Sequence, residues 1–131
     1  MIKPRIKIYT ASKLHHAPLW GRLVEEWPEI EFTARWPVKH VGTVPDDPSY
    51  ARVFWEHDLE DVSRSDGVLL YAEEGDKLRG GLVESGMAIA LGKFVIVVGE
   101  HQDYGTWQYH PLVHRSADLD AARLTLTCMA M

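Results

Sequence analysis

Three short runs of apolar, β-branched residues divide this sequence and limit the folds open to it. They are RIKIYT at 5–10, GVLLYA at 67–72 and FVIVVG at 94–99, and each is bounded by turn or polar residues. Continuous apolar runs of this length are typical of strands buried on both faces of a parallel sheet. Two weaker candidates, IEFTARW at 30–36 and LVHRS at 112–116, bring the predicted number of strands to five.

Helical patterns fill the intervals between these runs. The first helix is predicted from Pro18, which suits a first-turn position, and it ends at Pro28. Its apolar face comprises Leu19, Trp20, Leu23, Val24 and Trp27. The second helix is predicted from the apolar residues Tyr50, Val53, Phe54, Leu59 and Val62. The third spans 81–92 and is closed by Gly92, and the fourth spans 117–126.

Strands that alternate with helices imply a parallel sheet with right-handed crossovers. We therefore predict a single α/β domain over residues 1–131, doubly wound, with a flavodoxin-like five-stranded parallel sheet in the order 2-1-3-4-5. A chain of 131 residues can bury a sufficient core without disulfides, and we interpret its one cysteine, Cys128, as an incidental thiol. The segment 37–48 contains three prolines and fits either a flap over a site or a plain surface loop.

Charge and hydropathy narrow the class of partner. The formal net charge of −5 argues against nucleic-acid binding, which requires a basic surface, so a small molecule is the expected partner. No apolar run approaches the roughly 20 residues that cross a bilayer, and residues 1–12 contain no apolar leader segment. We expect no membrane partner and a cytoplasmic location. The seven histidines have no zinc-binding spacing, and neither a metal nor another cofactor is expected.

The predicted strand order also predicts the position of a binding site. In such sheets ligands bind at the carboxyl ends of the strands where the strand order reverses, here between the first and third strands. The first strand ends at Tyr9 and Thr10, with Ser12 just beyond it. The third strand leads through the loop at 72–81 into the third helix. We expect these segments to converge on one cleft.

Glu84 is the one carboxylate of the predicted third helix, and it closely follows Gly80 and Gly81. In a first helical turn, free N–H groups and the helix dipole favour an ionised carboxylate, and glycines let a ligand approach the backbone. Such a carboxylate can attack the anomeric carbon of a sugar. Alternatively, Glu84 complements the helix dipole at the surface. Trp36, just past the second strand, fits either stacking on a nucleobase or packing in the core.

Three strings, in this order and spacing, resemble the nucleoside 2-deoxyribosyltransferase family and the related nucleotide N-hydrolases. They are KIYTAS at 7–12, HDLEDVSRSDGVLLYAEE at 57–74 and GGLVESGMAIALGKFVIVVG at 80–99. The resemblance implies that Glu84 attacks C1′ of the (deoxy)ribose to form a covalent glycosyl-enzyme. It also implies that Tyr9 orients this glutamate by a hydrogen bond and that Asp58 assists the departing base. Two carboxyls suit an oxocarbenium-like transition state, although Asp58 also fits a solvated helix acid.

The sequence departs from the family pattern at one position. Transferases of the family carry a further aspartate six residues before the nucleophile, and here that residue is Leu78, with Asp76 two residues earlier able to take the role. Arg79, beside the two glycines, fits an anion site for a nucleoside 5′-phosphate or an exposed arginine. The resemblance further implies a homodimer or larger homo-oligomer, with residues 99–111 at the subunit interface.

Two functions follow from these patterns. The first is an enzyme that cleaves or transfers the N-glycosidic bond of a (deoxy)nucleoside or nucleoside 5′-monophosphate. The second is a nucleotide-binding or sensing domain of the same fold without the chemistry. Tyr9, Asp58 and Glu84 favour the enzyme, whereas Leu78 favours the binding domain.

Overall fold

A computed structural model describes residues 5–39 and 47–131, and within these ranges five strands form one sheet. The strands are β1 (Ile6–Ala11), β2 (Ile30–Phe32), β3 (Gly67–Tyr71), β4 (Phe94–Val98) and β5 (Val113–Ser116). Their order is β2-β1-β3-β4-β5 and every neighbouring pair is parallel, which confirms the predicted sheet. Residues 40–46, the centre of the predicted flap, lie outside the described ranges.

Helices connect the strands. They are the 3-10 turn η1 (Leu14–His16), α1 (Ala17–Glu26), α2 (Trp36–Lys39), α3 (Pro48–Ser63), α4 (Gly80–Ala90), the 3-10 turn η2 (Thr106–Tyr109) and α5 (Leu119–Met129). The side chains of Asp47 and Asp118 cap α3 and α5 by accepting hydrogen bonds from backbone N–H groups of the first turn. Gly92 follows α4 with a φ of +74°, as predicted for the residue that closes it. Within the described ranges, no helix has the length and apolar character needed to cross a bilayer.

The helices cover both faces of the sheet, because alternate residues of each strand point to opposite sides. On one side α4 packs so closely on β1 and β3 that a Cβ at Gly81 would lie 2.8 Å from Leu70 Cδ1 and 3.9 Å from Ala11 Cβ. Helix α3 packs against α4 on this side. On the other side Trp20 of α1 lies edge-on to Tyr71, with ring centroids 5.9 Å apart. Layers on both faces make the domain doubly wound.

Strand β2 is shorter than predicted because the residues after it bind α3. The Thr33 hydroxyl donates to the Asp61 carbonyl at 3.0 Å. The Arg35 backbone N–H and Nε donate to the Asp61 carboxylate at 2.9 and 2.8 Å. The prediction that the strand continues to Trp36 was therefore wrong, and Trp36 instead begins α2, a helix that was not predicted from the sequence.

The apolar faces predicted for α1 and α3 are only partly buried. Val24 of α1 is 53% exposed, and Val53 and Leu59 of α3 are 49% and 45% exposed. Helix α3 instead buries two carboxyl side chains, Asp58 and Asp61. It does so because its inward face borders ion pairs and a cavity as well as the apolar core.

Gly67 at the start of β3 supplies a test of the packing. A Cβ at this position would lie 2.4 Å from the ring of Phe94 on the neighbouring strand. Because the partly buried ring of Phe94 would have to shift to admit this Cβ, we expect Gly67→Ala to destabilise the fold by about 2 kcal/mol. Gly21→Ala is the matched control: no described atom lies within 4 Å of its Cβ, and in a helix the change should stabilise by roughly 0.5 kcal/mol. Thermal melting of both variants checks this, and equal melting temperatures would contradict it.

Candidate active site

A cavity of about 250 Å³ opens beyond the carboxyl ends of β1 and β3, between α3 and α4. This is the strand-reversal position that was predicted from the sequence. Of the predicted site residues, the lining includes Ser12, Trp36, Asp58, Arg79, Gly80, Gly81 and Glu84. It also includes residues that were not assigned to the site from the sequence, namely Lys13, Leu14, Ala51, Phe54, Trp55 and Leu78.

Glu84 projects into this cavity from the second turn of α4. The prediction of a first-turn position was wrong, because α4 begins at Gly80 with Arg79 as its N-cap. Glu84 is 5% exposed, and burial alone raises the pKa of its carboxyl well above the usual value of 4.5. This burial acts against the ionised carboxylate that was expected from a helix N-terminus.

Asp58 brings a second carboxyl to the cavity, from α3. It is 2% exposed. Burial and the nearby charge of Asp61 raise the pKa of Asp58 to about 7, although Arg35 lowers it. Asp61 itself contacts two guanidinium groups, with Arg35 Nε at 2.8 Å and Arg64 Nη2 at 2.7 Å. At neutral pH Asp58 can therefore either hold or release a proton.

The two glycines at the start of α4 have different structural roles. Gly81 faces the sheet, where a Cβ would clash with Leu70 at 2.8 Å, so it serves close helix–sheet packing. Gly80 faces the cavity: a Cβ there would lie 3.3 Å from Trp55 and 3.8 Å from Glu84 Oε1. Of the two, Gly80 is the glycine that leaves room for a ligand beside the glutamate.

Three aromatic residues, Trp36, Phe54 and Trp55, form the apolar wall of the cavity. The Trp36 indole N–H donates to the Thr10 carbonyl at 2.8 Å, which fixes the ring while it remains in the packed core. Phe54 and Trp55 meet edge to face, with ring centroids 6.0 Å apart. An aromatic wall and two carboxyls in the same cavity suit a planar heterocycle that carries a polar substituent.

The sequence contains a pattern that indicates which residues of α3 line the cavity, and this pattern was overlooked. Ala51, Phe54, Trp55 and Asp58 recur at intervals of three, one and three residues, which places them on one helical face. All four line the cavity. Reading this face from Asp58 backwards would have predicted the aromatic wall.

Tyr9 and Thr10 lie beneath the cavity and do not line it. Both are at most 1% exposed, and neither hydroxyl has a hydrogen-bond partner among the described residues. The expected hydrogen bond from Tyr9 to Glu84 is therefore absent. Thr10 contributes its carbonyl, which holds Trp36, and not a substrate-facing hydroxyl.

Two cationic side chains, those of Lys13 and Arg79, stand at the cavity. Neither has an ion-pair or hydrogen-bond partner for its charged group among the described residues. Beside Lys13, the Ser12 hydroxyl accepts from the Trp20 indole N–H at 2.9 Å and donates to the Lys13 carbonyl at 3.0 Å. Ser12 is thus committed to positioning this loop, whereas both cations are available to an anion.

Asp76 does not reach the cavity. Its carboxylate lies 2.7 Å from His16 Nε2 and accepts the Glu73 N–H at 2.9 Å. Burial raises the pKa of the Asp76 carboxyl, but these two contacts have the larger effect. The pKa of Asp76 therefore lies below its usual value. The Asp76 side chain is therefore unable to replace the family aspartate from where it lies. Leu78 does line the cavity, and its backbone N–H donates to Asp103 Oδ2 at 2.8 Å.

Comparisons with known proteins agree with this fold. No protein-family model matches the sequence, and no curated protein matches it. Among solved structures, a 2-deoxyribosyltransferase from Bacillus psychrosaccharolyticus is similar with a TM-score of 0.68 at 17% identity, covering 92% of this chain and 95% of that one. A conserved protein from Enterococcus faecalis gives 0.56 at 17% identity, with coverages of 96% and 88%. A CMP N-glycosidase from Clostridium botulinum gives 0.54 at 15% identity, with coverages of 95% and 99%.

At these identities the similarity establishes the fold. The predicted resemblance is thus confirmed as a shared architecture over nearly the whole chain. The roles of the site residues, the oligomeric state and the cytoplasmic location stay predictions.

Proposed function

We propose that this protein cleaves the N-glycosidic bond of a nucleoside 5′-monophosphate, with Glu84 as nucleophile and Asp58 as proton donor. The observation that carries this proposal is the pair of buried carboxyls that two different helices bring to one cavity with an aromatic wall. Carboxyls that are buried without an ion-pair partner among the described residues destabilise a fold, so they are typical of functional sites, and the raised pKa of Asp58 suits a proton donor. The fold shared with a 2-deoxyribosyltransferase and a CMP N-glycosidase supports the same chemistry.

The proposed reaction divides the work between the two carboxyls. A Glu84 oxygen forms a bond to C1′ as the bond from C1′ to the base nitrogen breaks, and Asp58 gives its proton to the departing base. Asp58, now a carboxylate, then takes a proton from a water molecule that attacks C1′ and releases Glu84. A second base in place of water would turn hydrolysis into transfer. Glu84 reacts as the carboxylate, so any proton that it carries passes to water before the bond to C1′ forms.

The charge pattern favours a nucleotide over a nucleoside. Lys13 and Arg79 leave two cations beside a cavity that otherwise presents two acids, and Arg79 stands at the N-terminus of α4. Guanidinium and ammonium groups at a helix N-terminus bind phosphate well. A 5′-phosphate held there leaves the sugar over Glu84 and directs the base towards Trp36 and Trp55.

Arg79→Ala tests the phosphate assignment. We expect KM for a nucleoside 5′-monophosphate to rise by about 10- to 100-fold, while turnover of the matching nucleoside is unchanged. Lys77→Ala is the control, since Lys77 is exposed in the same loop and does not line the cavity. Steady-state kinetics on both substrates give the answer. An equal loss on nucleoside and nucleotide would remove the phosphate from the proposal.

The first experiment on the proposed function is chromatography of free base released from a panel of nucleosides and 5′-nucleotides, with and without a second base. Release without an acceptor identifies a hydrolase, and release that needs one identifies a transferase. No release from any member, with thermal stabilisation by a nucleotide, would support the second candidate, a nucleotide-binding domain. Leu78 and the missing hydrogen bond from Tyr9 to Glu84 favour that candidate.

A further inference from the structure

We propose that His15, His16 and Asp76 form a binding site for a divalent transition-metal ion of the zinc type, next to the candidate active site. Each of these residues offers one ligand atom, and the three atoms lie within 4.8 Å of one another. Two imidazoles and one carboxylate with an open fourth position make a ligand set that zinc uses in proteins. The proposal departs from the sequence expectation of no metal.

The distances are close to those that an ion requires. Around a tetrahedral ion with bonds of about 2.0 Å, neighbouring ligand atoms are separated by roughly 3.3 Å. His15 Nε2 lies 3.4 Å from Asp76 Oδ1, and His16 Nε2 lies 2.7 Å from Asp76 Oδ2. The two imidazole rings lie side by side with centroids 4.0 Å apart. An ion can therefore enter once His16 and Asp76 move apart slightly and the His15 ring adjusts to it.

Two of the ligands are held in place and the third can adjust. The side chains of His16 and Asp76 are 7% and 8% exposed, and they are already bound to each other. The His15 side chain is 62% exposed, so it can turn towards an ion at little cost and leaves one side open to water. A preformed pair with a mobile partner reduces the entropy that binding has to overcome.

The surroundings match those of protein metal sites. Imidazole nitrogens favour Zn²⁺, Cu²⁺ or Ni²⁺ over Mg²⁺ or Ca²⁺. A ligating histidine usually turns its second nitrogen to a carboxylate or carbonyl. Here His16 Nδ1 lies 4.0 Å from Glu73 Oε2, and the Glu73 N–H donates to Asp76 Oδ2 at 2.9 Å. Glu73 thus holds Asp76 by a hydrogen bond and places a carboxylate near His16.

A bound ion would connect the two loops that flank the active-site cavity. His15 and His16 belong to η1, directly after the cavity residues Lys13 and Leu14, whereas Asp76 precedes Leu78 and Arg79 in the β3–α4 loop. A hydrogen bond between His16 and Asp76 holds these loops together. An ion would replace that bond with three coordinate bonds and fix the spacing of the cationic groups that we assign to the phosphate.

Titration of the full-length, chelator-treated protein with Co²⁺ tests the proposal, followed by displacement with Zn²⁺. We expect the visible absorption of tetrahedral Co²⁺ at one ion per chain, with Mg²⁺ unable to displace it. His15→Ala should weaken Zn²⁺ binding by at least about 10-fold. This variant retains the buried contact between His16 and Asp76, so its fold should remain intact.

His114→Ala serves as the control, because His114 is exposed on β5 and lies outside the cluster. It should bind Zn²⁺ as the wild type does. The same affinity in wild type and His15→Ala would overturn the proposal, as would the absence of any binding tighter than about 100 µM. The readout is binding and not turnover, so its failure leaves the glycosidase proposal unaffected.

Discussion

Glu84→Gln is expected to abolish base release while making the protein more stable. The amide keeps the shape of the carboxyl but does not form the bond to C1′, so the rate should fall by at least about 10³-fold. Burial raises the pKa of Glu84, so the folded state favours the neutral acid and loses stability as the pH rises through the pKa of the folded protein. An amide is neutral at every pH, and its stabilising effect should therefore be largest at alkaline pH.

Base release and thermal melting, both measured from pH 5 to pH 9, distinguish a catalytic Glu84 from a Glu84 that only stabilises the fold. The matched control is Glu74→Gln, an exposed glutamate in the β3–α4 loop, which should alter neither quantity. A glutamate that only stabilised the fold would give a less stable variant with reduced activity. Wild-type turnover in the Glu84→Gln variant would remove Glu84 from the mechanism.

Asp58→Asn should remove the proton donor and, with it, the alkaline limb of the pH profile. Because the pKa of Asp58 is about 7, kcat/KM of the wild type should fall as the pH rises above neutrality and the acid is lost. In the Asp58→Asn variant kcat/KM should be lower by about 10²- to 10⁴-fold and should no longer depend on pH in that range. For a nucleotide whose base is a better leaving group, the substitution should reduce kcat/KM by a smaller factor.

The stability of the same variant gives an independent check. The pKa of Asp58 is raised in the folded state, so its contribution to stability is complete below about pH 4 and is lost as the pH rises through about 7. Relative to wild type, Asp58→Asn should therefore gain stability between pH 4 and pH 8, by a few kcal/mol at most. Glu56→Gln, on the exposed side of the same helix, should show no such trend. A pH profile that keeps its alkaline limb in Asp58→Asn would assign that limb to another group.

The sheet could be predicted because its signal is local. Runs such as 67–72 and 94–99 are apolar throughout, and their spacing leaves room only for helical crossovers, so strand number and order followed from general rules. The end of β2 could not be predicted. It depends on Arg35 reaching Asp61, a contact between residues 26 positions apart that no local pattern records.

The candidate site was predictable in part for the same reason. Glu84 was singled out by its place after two glycines and Asp58 by the resemblance to a family pattern, and both line the cavity. Whether Glu84 lies in the first or the second turn depends on the residue at which α4 begins. Helix boundaries are the features that a sequence locates least precisely. The position of Asp76 depended on His16, which lies 60 residues away.

The contacts of Arg35 and Trp36 link two parts of the proposed reaction. Arg35 binds Asp61, one helical turn from Asp58, and the next residue, Trp36, is held by the Thr10 carbonyl. In the proposed reaction, a base stacked on Trp36 and the acid that protonates it are thus both tied to the segment 33–36, which binds β1 on one side and α3 on the other. Because this segment binds both β1 and α3, it limits changes in the distance across which the proton moves in the proposed reaction.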